Sequence, residues 1–354
     1  SAIMQDLQLA RDMGANSIRT SHYPNDELFL DLCDELGILV WEENHARGLS
    51  EEQMRNPNFE RQCETCIREM IAAHYNHPSI YIWGILNECA SDTAYGRECY
   101  KTQLELIKSL DVTRPRSFSS CRFKTDICFD LVDVVSYNIY PKWYHNTPVA
   151  MYLDDLYKWV QTTGGAGKPF LITEVGAGAI YGYRTPAKVK WSEEYQVLAL
   201  EEQLGAILSY KDCSGVYIWQ FCDVRVTNDW WNTRPRTMNN KGIVDEYRRP
   251  KLSYETVKRE CAPLYISSIN AVNTDEKTSG VEIVIANKNA LPCYEAKGYH
   301  LAGFDGTGCL ISYTALTPLK PGETQKIFLA DAQSQLARIA IQRPNGAESI
   351  SYFI

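Results

Sequence analysis

The stretch that decides the fold lies at residues 79–88 and reads SIYIWGILNE. Its first eight residues are mostly apolar or β-branched, which predicts a strand buried on both faces, as in a parallel sheet. A second stretch, FLITE at residues 170–174, has the same character and also ends in a glutamate. Both stretches therefore predict parallel strands of an α/β protein, each with a polar residue where the strand ends.

Strands of this kind alternate with amphipathic helices over about 260 residues. Helical spacing of apolar side chains recurs between the strands, for example at residues 28–36, 153–160 and 195–207. Regular alternation of this kind predicts either a doubly wound sheet or a (β/α)8 TIM barrel. The predicted strands number seven and lie at residues 16–20, 37–42, 79–86, 115–121, 132–137, 170–173 and 215–221.

The start of the chain does not supply an eighth strand. Residues 4–13 predict a helix, so a barrel built from this sequence lacks its first strand. Residue 1 is a serine, and we expect that the natural N-terminus lies further upstream. An open edge at the gap would favour pairing between strands of two copies, so a homo-oligomer is an expectation as well.

Near residue 262 the alternation of strand and helix patterns gives way to strand patterns alone. Short β-rich runs separated by Gly, Pro, Asn and Asp predict strands at residues 281–286, 299–304, 310–313, 324–329 and 337–342. We therefore predict a barrel domain over residues 1–261, followed by a smaller all-β sandwich domain over residues 262–354.

Composition and charge exclude several classes of partner. The chain has 36 Lys and Arg against 44 Asp and Glu, a net charge of −8, whereas nucleic acids and anionic membranes require a basic face. No apolar run approaches the roughly 20 residues that span a bilayer. The twelve cysteines are scattered, which predicts free thiols in a reducing compartment and hence a cytoplasmic protein.

Neither a metal nor an organic cofactor is expected. Cys63 and Cys66 form a C-x-x-C pair, but they share helical spacing with Phe59 and Met70, which indicates a buried stripe of a helix. A structural zinc site would need a second pair of ligands close by. The sequence GGAGK at residues 164–168 is followed by proline, where a phosphate-binding loop needs Ser or Thr.

Two carboxylates at the ends of two different strands point to a reaction. Glu88 and Glu174 follow their strands at the positions where TIM barrels carry catalytic side chains. Hydrolysis of a glycoside needs one carboxyl group as general acid and another as nucleophile or base. A glutamate can also simply end a strand or pair with an arginine, but two of them on strands three apart favour glycoside hydrolysis.

Five motifs together resemble glycoside hydrolase family 2, which includes retaining β-galactosidases and β-glucuronidases. The similarity extends over residues 1–260 in order. The motifs are RTSHYP at residues 19–24, NHPSI at 76–80, WGILNE at 83–88, ITEVG at 172–176 and IWQF at 218–221.

The resemblance implies a role for each matching residue. Glu88 matches the acid/base and Glu174 the nucleophile, while Arg19 would lower the pKa of the nucleophile. His22 has a second interpretation as a hydrogen-bonded core histidine. Asn87 would bind the 2-hydroxyl group of the sugar, and Tyr140 would hydrogen-bond the nucleophile. Trp219 and His22 would line the sugar site.

A further motif, near residue 240, bears on which sugar the site binds. Asn239 and Lys241, in N-x-K-G at residues 239–242, resemble the Asn-x-Lys element with which β-glucuronidases hold the sugar carboxylate; the alternative is a solvated turn. The spacing to the preceding arginines leaves open whether Arg234 or Arg236 takes the arginine role, and we assign Arg236. Further neighbours of the sugar are Asn138 and Tyr144.

The resemblance thus implies a bacterial-type, retaining exo-β-glucuronidase that acts on carbohydrate β-glucuronides. A retaining mechanism requires the Glu88 and Glu174 carboxyl groups to lie about 5–5.5 Å apart. One alternative is a β-galactosidase of the same family, with Lys241 on the surface. Another is an inactive carbohydrate-binding fragment, because the first strand of the barrel contributes to the site in the family.

Overall fold

The computed structural model describes residues 1–226, 234–273, 279–330 and 336–354. The chain divides into two compact units, residues 1–8 with 15–253 and residues 9–14 with 254–354. The helices are α1 (Ala2–Asp12), α2 (Glu27–Leu36), α3 (Glu51–Met54), α4 (Phe59–His74), α5 (Ala94–Leu110), α6 (Val149–Val160), α7 (Glu193–Leu208) and α8 (Ser253–Cys261).

The first unit is a nearly closed parallel barrel. Each of its seven main strands pairs in parallel with the next along the chain, so the strand order follows the sequence. The predicted fold class, a barrel short of one strand with β structure after it, is confirmed. The strands are β1 (Ser17–Arg19), β2 (Leu39–Glu43), β3 (Ile80–Ile85), β4 (Arg116–Ser120), β5 (Val135–Asn138), β6 (Phe170–Val175) and β7 (Gly215–Ile218), and a small ribbon follows with β8 (Val224–Arg225) and β9 (Met238–Asn239).

The edges of the seven-stranded sheet are β1 and β7. Within the described residues no backbone ladder joins these two strands. Instead the side-chain hydroxyl groups of Ser17 and Tyr217 lie 2.7 Å apart, and Tyr81 Oη lies 2.5 Å from Tyr217 Oη. Side chains rather than backbone pairing therefore connect the barrel on this side.

Capping residues at both ends set where helix α2 begins and ends. Asp26 accepts a hydrogen bond from the backbone N–H of Leu28 at 2.9 Å, which caps the N-terminus of α2. Gly37 ends the helix in the left-handed conformation (φ 67°), where a residue without a Cβ is favoured. Leu30 and Cys33 are fully buried between these ends. The helix predicted from the spacing at residues 28–36 is confirmed.

The C-x-x-C pair lies on helix α4. Cys63 is fully buried beside Ile67 and Met70, whereas Cys66 is only partly buried. Burial raises the pKa of the Cys63 thiol to about 12, which keeps it protonated. All twelve cysteines are free, and the prediction of a buried helical stripe is confirmed for Cys63 and only in part for Cys66.

The second unit contains two antiparallel sheets around one apolar core. A three-stranded sheet has the order β10-β11-β14, and a four-stranded sheet has the order β13-β12-β15-β16. Both sheets contribute to one cluster of buried side chains, as in a β-sandwich. The strands are β10 (Leu264–Asn273), β11 (Ser279–Asn287), β12 (His300–Phe304), β13 (Leu310–Ala315), β14 (Thr324–Ala330), β15 (Arg338–Gln342) and β16 (Glu348–Phe353).

Across the described part of the chain, every helix is too short or too polar to cross a membrane.

Gly84 in β3 marks a close contact between neighbouring barrel strands. A Cβ atom at this position would lie 2.1 Å from Trp41 Nε1 and 2.8 Å from Glu43 Cβ. Gly84→Ala must displace these buried side chains, and we expect it to lower the free energy of unfolding by about 1–3 kcal/mol, measured by urea titration.

Gly205→Ala is the matched control. Gly205 lies on the exposed side of α7, and a Cβ atom there meets no atom within 4 Å. Alanine should stabilise this helix by about 0.4–1 kcal/mol. A Gly84→Ala variant as stable as Gly205→Ala would contradict the close packing at β3.

Candidate active site

The candidate site lies where the parallel strands of the barrel end. The carboxyl ends of such strands meet at one face of a barrel, so their last side chains come together there. Residues at or just after these ends are Arg19 of β1, Glu43 of β2, Asn87 and Glu88 after β3, Asn138 of β5 and Glu174 of β6.

Arg19 is the cation at the centre of this group, and it is buried. Its guanidinium group binds Glu43 through two nitrogens, with Nε–Oε2 2.8 Å and Nη2–Oε1 3.0 Å. The same group donates to Asn87 Oδ1 at 2.7 Å and to Glu174 Oε1 at 3.2 Å. One side chain thus links residues from four strands and fixes their relative positions.

Glu43 is a member of the site that our sequence analysis missed. It is buried, and besides Arg19 it lies 2.9 Å from Nδ1 of His22. Burial alone would raise the pKa of Glu43, but the charges and hydrogen bonds of Arg19 and His22 outweigh it and hold the pKa at about 2. Glu43 is therefore ionised at neutral pH, and it orients two neighbouring side chains.

Glu174, the predicted nucleophile, receives two donors. Arg19 Nη1 lies 3.2 Å from Oε1, and the hydroxyl group of Tyr140 donates to Oε2 at 2.5 Å. Burial raises the pKa of Glu174, and the charge of Glu88 adds to this, whereas Arg19 and His22 lower it. Arg19 lowers the pKa of Glu174 as expected, but burial outweighs the guanidinium charge, so the pKa is raised overall.

Glu88, the predicted acid/base, lies on a sharp turn after β3. Leu86 and Glu88 both have positive φ, 45° and 53°, which is uncommon outside glycine and concentrates at functional sites. Glu88 is only partly buried, and its Oε1 accepts a hydrogen bond from Asn138 Nδ2 at 2.8 Å. The turn thus directs the side chain towards the end of β5.

A continuous chain of contacts connects the two glutamates. Asn138 Nδ2, which binds Glu88, also lies 3.2 Å from Asn87 Oδ1. Asn87 Oδ1 in turn accepts from Arg19, which binds Glu174. The structure therefore brings together five of the predicted site residues.

Lys241 lies inside a cage of aromatic rings. It is 5% exposed, and its Nζ lies 5.4 Å, 5.3 Å and 5.0 Å from the ring centres of Tyr140, Trp143 and Tyr144. The ammonium group also donates to Tyr144 Oη at 3.0 Å. Burial, together with the nearby charge of Arg234, lowers the pKa of Lys241 to about 7. The alternative of a solvated turn is wrong for this lysine.

Two further predicted residues, His22 and Asn239, contact the predicted Trp219. His22 is buried and stacks on Trp219, with ring centres 5.0 Å apart, and its Nε2 lies 3.9 Å from Glu174 Oε1. Asn239 is buried, and with its amide oriented to satisfy both groups, its oxygen accepts from Trp219 Nε1 at 3.3 Å and from Arg234 Nη1 at 2.9 Å. The side chain of Arg236 lies outside the described residues, so its assignment stays a prediction.

Thr173 and Trp143 are further neighbours that were not predicted. The Thr173 hydroxyl group donates to Asn138 Oδ1 at 2.8 Å, and its carbonyl oxygen accepts from Arg19. Glu43 could have been found from the rule that identified Glu88, because it directly ends an apolar strand. Trp143 lies in the loop after β5, directly before the predicted Tyr144.

The family model for "Glycosyl hydrolases family 2, TIM barrel domain" matches residues 1–266. The chain belongs to glycosyl hydrolase family 2. Among solved family 2 structures, the β-galacturonidase of Eisenbergiella tayi bound to galacturonate is 76% identical, with a TM-score of 0.73 over 73% of this chain and 46% of that one. A β-glucuronidase of an uncultured Clostridium species is 30% identical, with a TM-score of 0.66 over the same shares.

Curated β-glucuronidases are also similar to this chain. The β-glucuronidase of Rattus norvegicus is 34% identical over 264 residues, which are 71% of this chain and 39% of the rat protein. The chain thus spans about two fifths of the length of the curated relatives that it matches.

Loss of the Glu43 anion should change the acid stability of the protein. Because the pKa of Glu43 is lowered to about 2 from an ordinary 4.5, the carboxylate stabilises the fold above about pH 4.5, and this contribution of about 3 kcal/mol is lost as the pH falls towards 2. Glu43→Gln should therefore be less stable than the original protein at pH 7, and the difference should shrink towards pH 2. Urea titrations at several pH values measure this, and a difference that is independent of pH would contradict it.

Proposed function

We propose that the chain carries the catalytic site of a retaining exo-β-glucuronidase, which releases terminal β-D-glucuronic acid from β-glucuronides. The observation that supports this most strongly is the position of Lys241, a buried cation in an aromatic cage beside the contact network of Glu88 and Glu174. A buried ammonium group with few anionic partners fits a substrate that brings its own carboxylate.

The first step breaks the glycosidic bond. Glu88 gives its proton to the glycosidic oxygen as the C–O bond breaks, while the Glu174 carboxylate attacks the anomeric carbon and forms a glycosyl ester. The alcohol leaves with the proton of Glu88, which remains as a carboxylate. This step requires Glu88 to be protonated and Glu174 to be ionised.

The second step returns the site to its starting state. The Glu88 carboxylate takes a proton from water, the resulting hydroxide attacks the anomeric carbon, and the Glu174 carboxylate departs. Two inversions at one carbon give net retention. This mechanism requires carboxyl groups about 5–5.5 Å apart, and that separation stays a prediction for Glu88 and Glu174.

The neighbours of Glu174 suit its role. Burial raises its pKa, and contacts with Arg19, His22 and Tyr140 favour the ionised form that must attack. Asn87 Oδ1 already accepts from Arg19 and Asn138, which orients the amide so that its Nδ2 would donate to the sugar 2-hydroxyl group.

Recognition of the uronate would depend mainly on Lys241, with Asn239 beside it in the same N-x-K-G motif. In the proposed complex the ammonium group forms a charge-assisted pair with the sugar carboxylate, and the cage of aromatic rings excludes water from this pair. His22 and Trp219 would line the ring of the sugar, and Tyr144, which is 63% exposed, would lie at the entrance.

A β-galacturonide is a second candidate substrate. It is favoured by the 76% identity with the β-galacturonidase of Eisenbergiella tayi. Galacturonate and glucuronate both carry the carboxylate at C5 and differ in configuration at C4. Lys241 would serve either acid, so assays need aryl β-glucuronide and aryl β-galacturonide side by side.

Further proposals concern the cellular location of the protein, its partners and its oligomeric state. The free thiols support a cytoplasmic location, the similarity to the Eisenbergiella tayi enzyme supports a bacterial type, and the net charge of −8 argues against nucleic acid or an anionic membrane as partner. The strand edges at β1 and β7 support a homo-oligomer. The domain boundary at residue 261 and the binding role of Arg236 also stay predictions.

Glu88→Gln and Glu174→Gln test the catalytic pair. Glutamine keeps the shape of the side chain but supplies neither a transferable proton nor a nucleophilic carboxylate, so we expect turnover of the aryl uronides to fall by about 10²–10⁴-fold or more. Steady-state kinetics of the purified chain measure this.

Glu42→Gln is the matched control for these two variants. Glu42 is a buried carboxylate on β2 that binds His74 at 2.9 Å, away from the Arg19 network, and its variant should retain turnover. Activity retained in both Glu88→Gln and Glu174→Gln would end the assignment. Absence of turnover in the original chain would favour the carbohydrate-binding fragment.

Lys241→Met separates a uronidase from a β-galactosidase. The variant removes the cation but keeps a long side chain inside the aromatic cage. We expect kcat/KM for the aryl uronide to fall by about 10²-fold or more, whereas the low value for a neutral aryl β-galactoside should change little. A preference for the uronide that survives this substitution would contradict the role of Lys241.

The pH dependence provides a second test of the same residue. Because the pKa of Lys241 is about 7, the ammonium form prevails below pH 7 and is lost above it. The ratio of kcat/KM for uronide over galactoside should therefore fall as the pH rises through 7, and this fall should be absent in Lys241→Met. A ratio independent of pH in the original protein would contradict the buried ammonium group.

A further inference from the structure

A fully buried ion pair, Asp223 with Lys251, lies behind the segment that presents Asn239 and Lys241. Lys251 is 2% exposed, and an ammonium group has three hydrogens to donate. Lys251 Nζ lies 2.8 Å from Asp223 Oδ1, 2.7 Å from the carbonyl oxygen of Ala179 and 3.1 Å from that of Asn240. All three N–H donors of the Lys251 ammonium group are therefore used. One of them binds the carbonyl oxygen of Asn240, the residue before Lys241.

Asp223 holds the residue after Lys241. Its Oδ1 accepts a hydrogen bond from the backbone N–H of Gly242 at 2.8 Å. The approach is so close that a Cβ atom on Gly242 would lie 2.3 Å from Asp223 N and from the carbonyl oxygen of Val244. The ion pair thus fixes the backbone on both sides of Lys241.

The neighbouring helix α7 supports the same segment. Gln196 Nε2 donates to the carbonyl oxygen of Gly242 at 3.1 Å and to that of Ala177 at 2.9 Å. The hydroxyl group of Ser253 orients this amide by donating to Gln196 Oε1 at 2.8 Å. Further contact comes from Ala179, whose N–H donates to the carbonyl oxygen of Asn240 at 2.8 Å.

Stability alone does not explain this pair. Burial lowers the pKa of Lys251 and raises the pKa of Asp223, so each charge persists mainly because the other is present. Replacing a buried ion pair by apolar side chains of similar volume is often neutral or stabilising, whereas removing one partner is strongly destabilising. A pair that joins three backbone segments beside a binding lysine instead fits a role in positioning.

We propose that Asp223 and Lys251 are positioning residues that set the specificity for uronates. They hold residues 240 and 242 so that the ammonium group of Lys241 lies within the aromatic cage and faces the sugar carboxylate. The inference rests on the proposed function of the site. It adds a pair of side chains that touch neither the sugar nor the two glutamates.

The double variant Asp223→Leu/Lys251→Met tests the proposal. It removes both charges together, so no buried charge is left without its partner and the fold is expected to persist. Relative to the original chain, KM for the aryl uronide should rise about tenfold with a smaller change in kcat, and the values for aryl β-galactoside should not change. Amide hydrogen exchange of residues 239–244 should accelerate, while the strands of the barrel keep their protection.

Arg249→Met is the matched control, because it removes a nearby ion pair that holds a different turn. Arg249 binds Asp245 at 2.5 Å and lies over the rings of Tyr181 and Tyr247. This variant should keep the KM for the uronide and the exchange rates of residues 239–244.

The outcomes separate this proposal from the proposed function. If the original chain hydrolyses neither uronide, the proposed function fails and the specificity role falls with it. If the original chain prefers uronides and the double variant keeps the same KM and preference, only the positioning role is overturned. Equal losses of kcat on uronide and galactoside, or unchanged exchange of residues 239–244, would likewise overturn it.

Discussion

The buried guanidinium group of Arg19 carries one positive charge between two carboxylates, and the arrangement of the site depends on how that charge is shared. Glu43 takes two of its nitrogens and stays ionised, so Arg19 is already neutralised on one side. The remaining contacts reach Asn87 and Glu174, which come from two other strands. Arg19 therefore sets the positions of these side chains while leaving Glu174 with a raised pKa.

Lys241 is a second buried cation of the site, and its surroundings differ from those of Arg19. Arg19 is matched by carboxylates of the protein itself, whereas Lys241 is surrounded mainly by aromatic rings and has its pKa lowered to about 7. Lysines are seldom buried unless they are paired, and among the described residues Lys251 has Asp223 as its partner whereas no carboxylate lies within salt-bridge distance of Lys241. The proposed function explains this exception, because the substrate would supply the missing carboxylate.

Sequence reasoning found the parts of the molecule that depend on local patterns. Apolar runs located all seven barrel strands, and the rule that polar residues end such strands identified Glu88 and Glu174. Glu43 was missed although it directly follows the strand predicted at residues 37–42, where the same rule applies. In the second unit β10 and β16 were not predicted, and in β10 the consecutive polar residues Ser267 and Ser268 interrupt the alternation where the register shifts. The Asp223–Lys251 pair and the cage around Lys241 join distant segments, which no local pattern reveals.

The central claim is that Glu88 and Glu174 act as acid/base and nucleophile in a retaining reaction. Proton NMR of the purified chain with an aryl β-uronide, recorded in the first minutes of turnover, tests it most directly, because the anomer that is released first reports the stereochemistry. The double displacement predicts that the β-anomer of the uronic acid appears first and then mutarotates. Initial release of the α-anomer would contradict a nucleophilic Glu174.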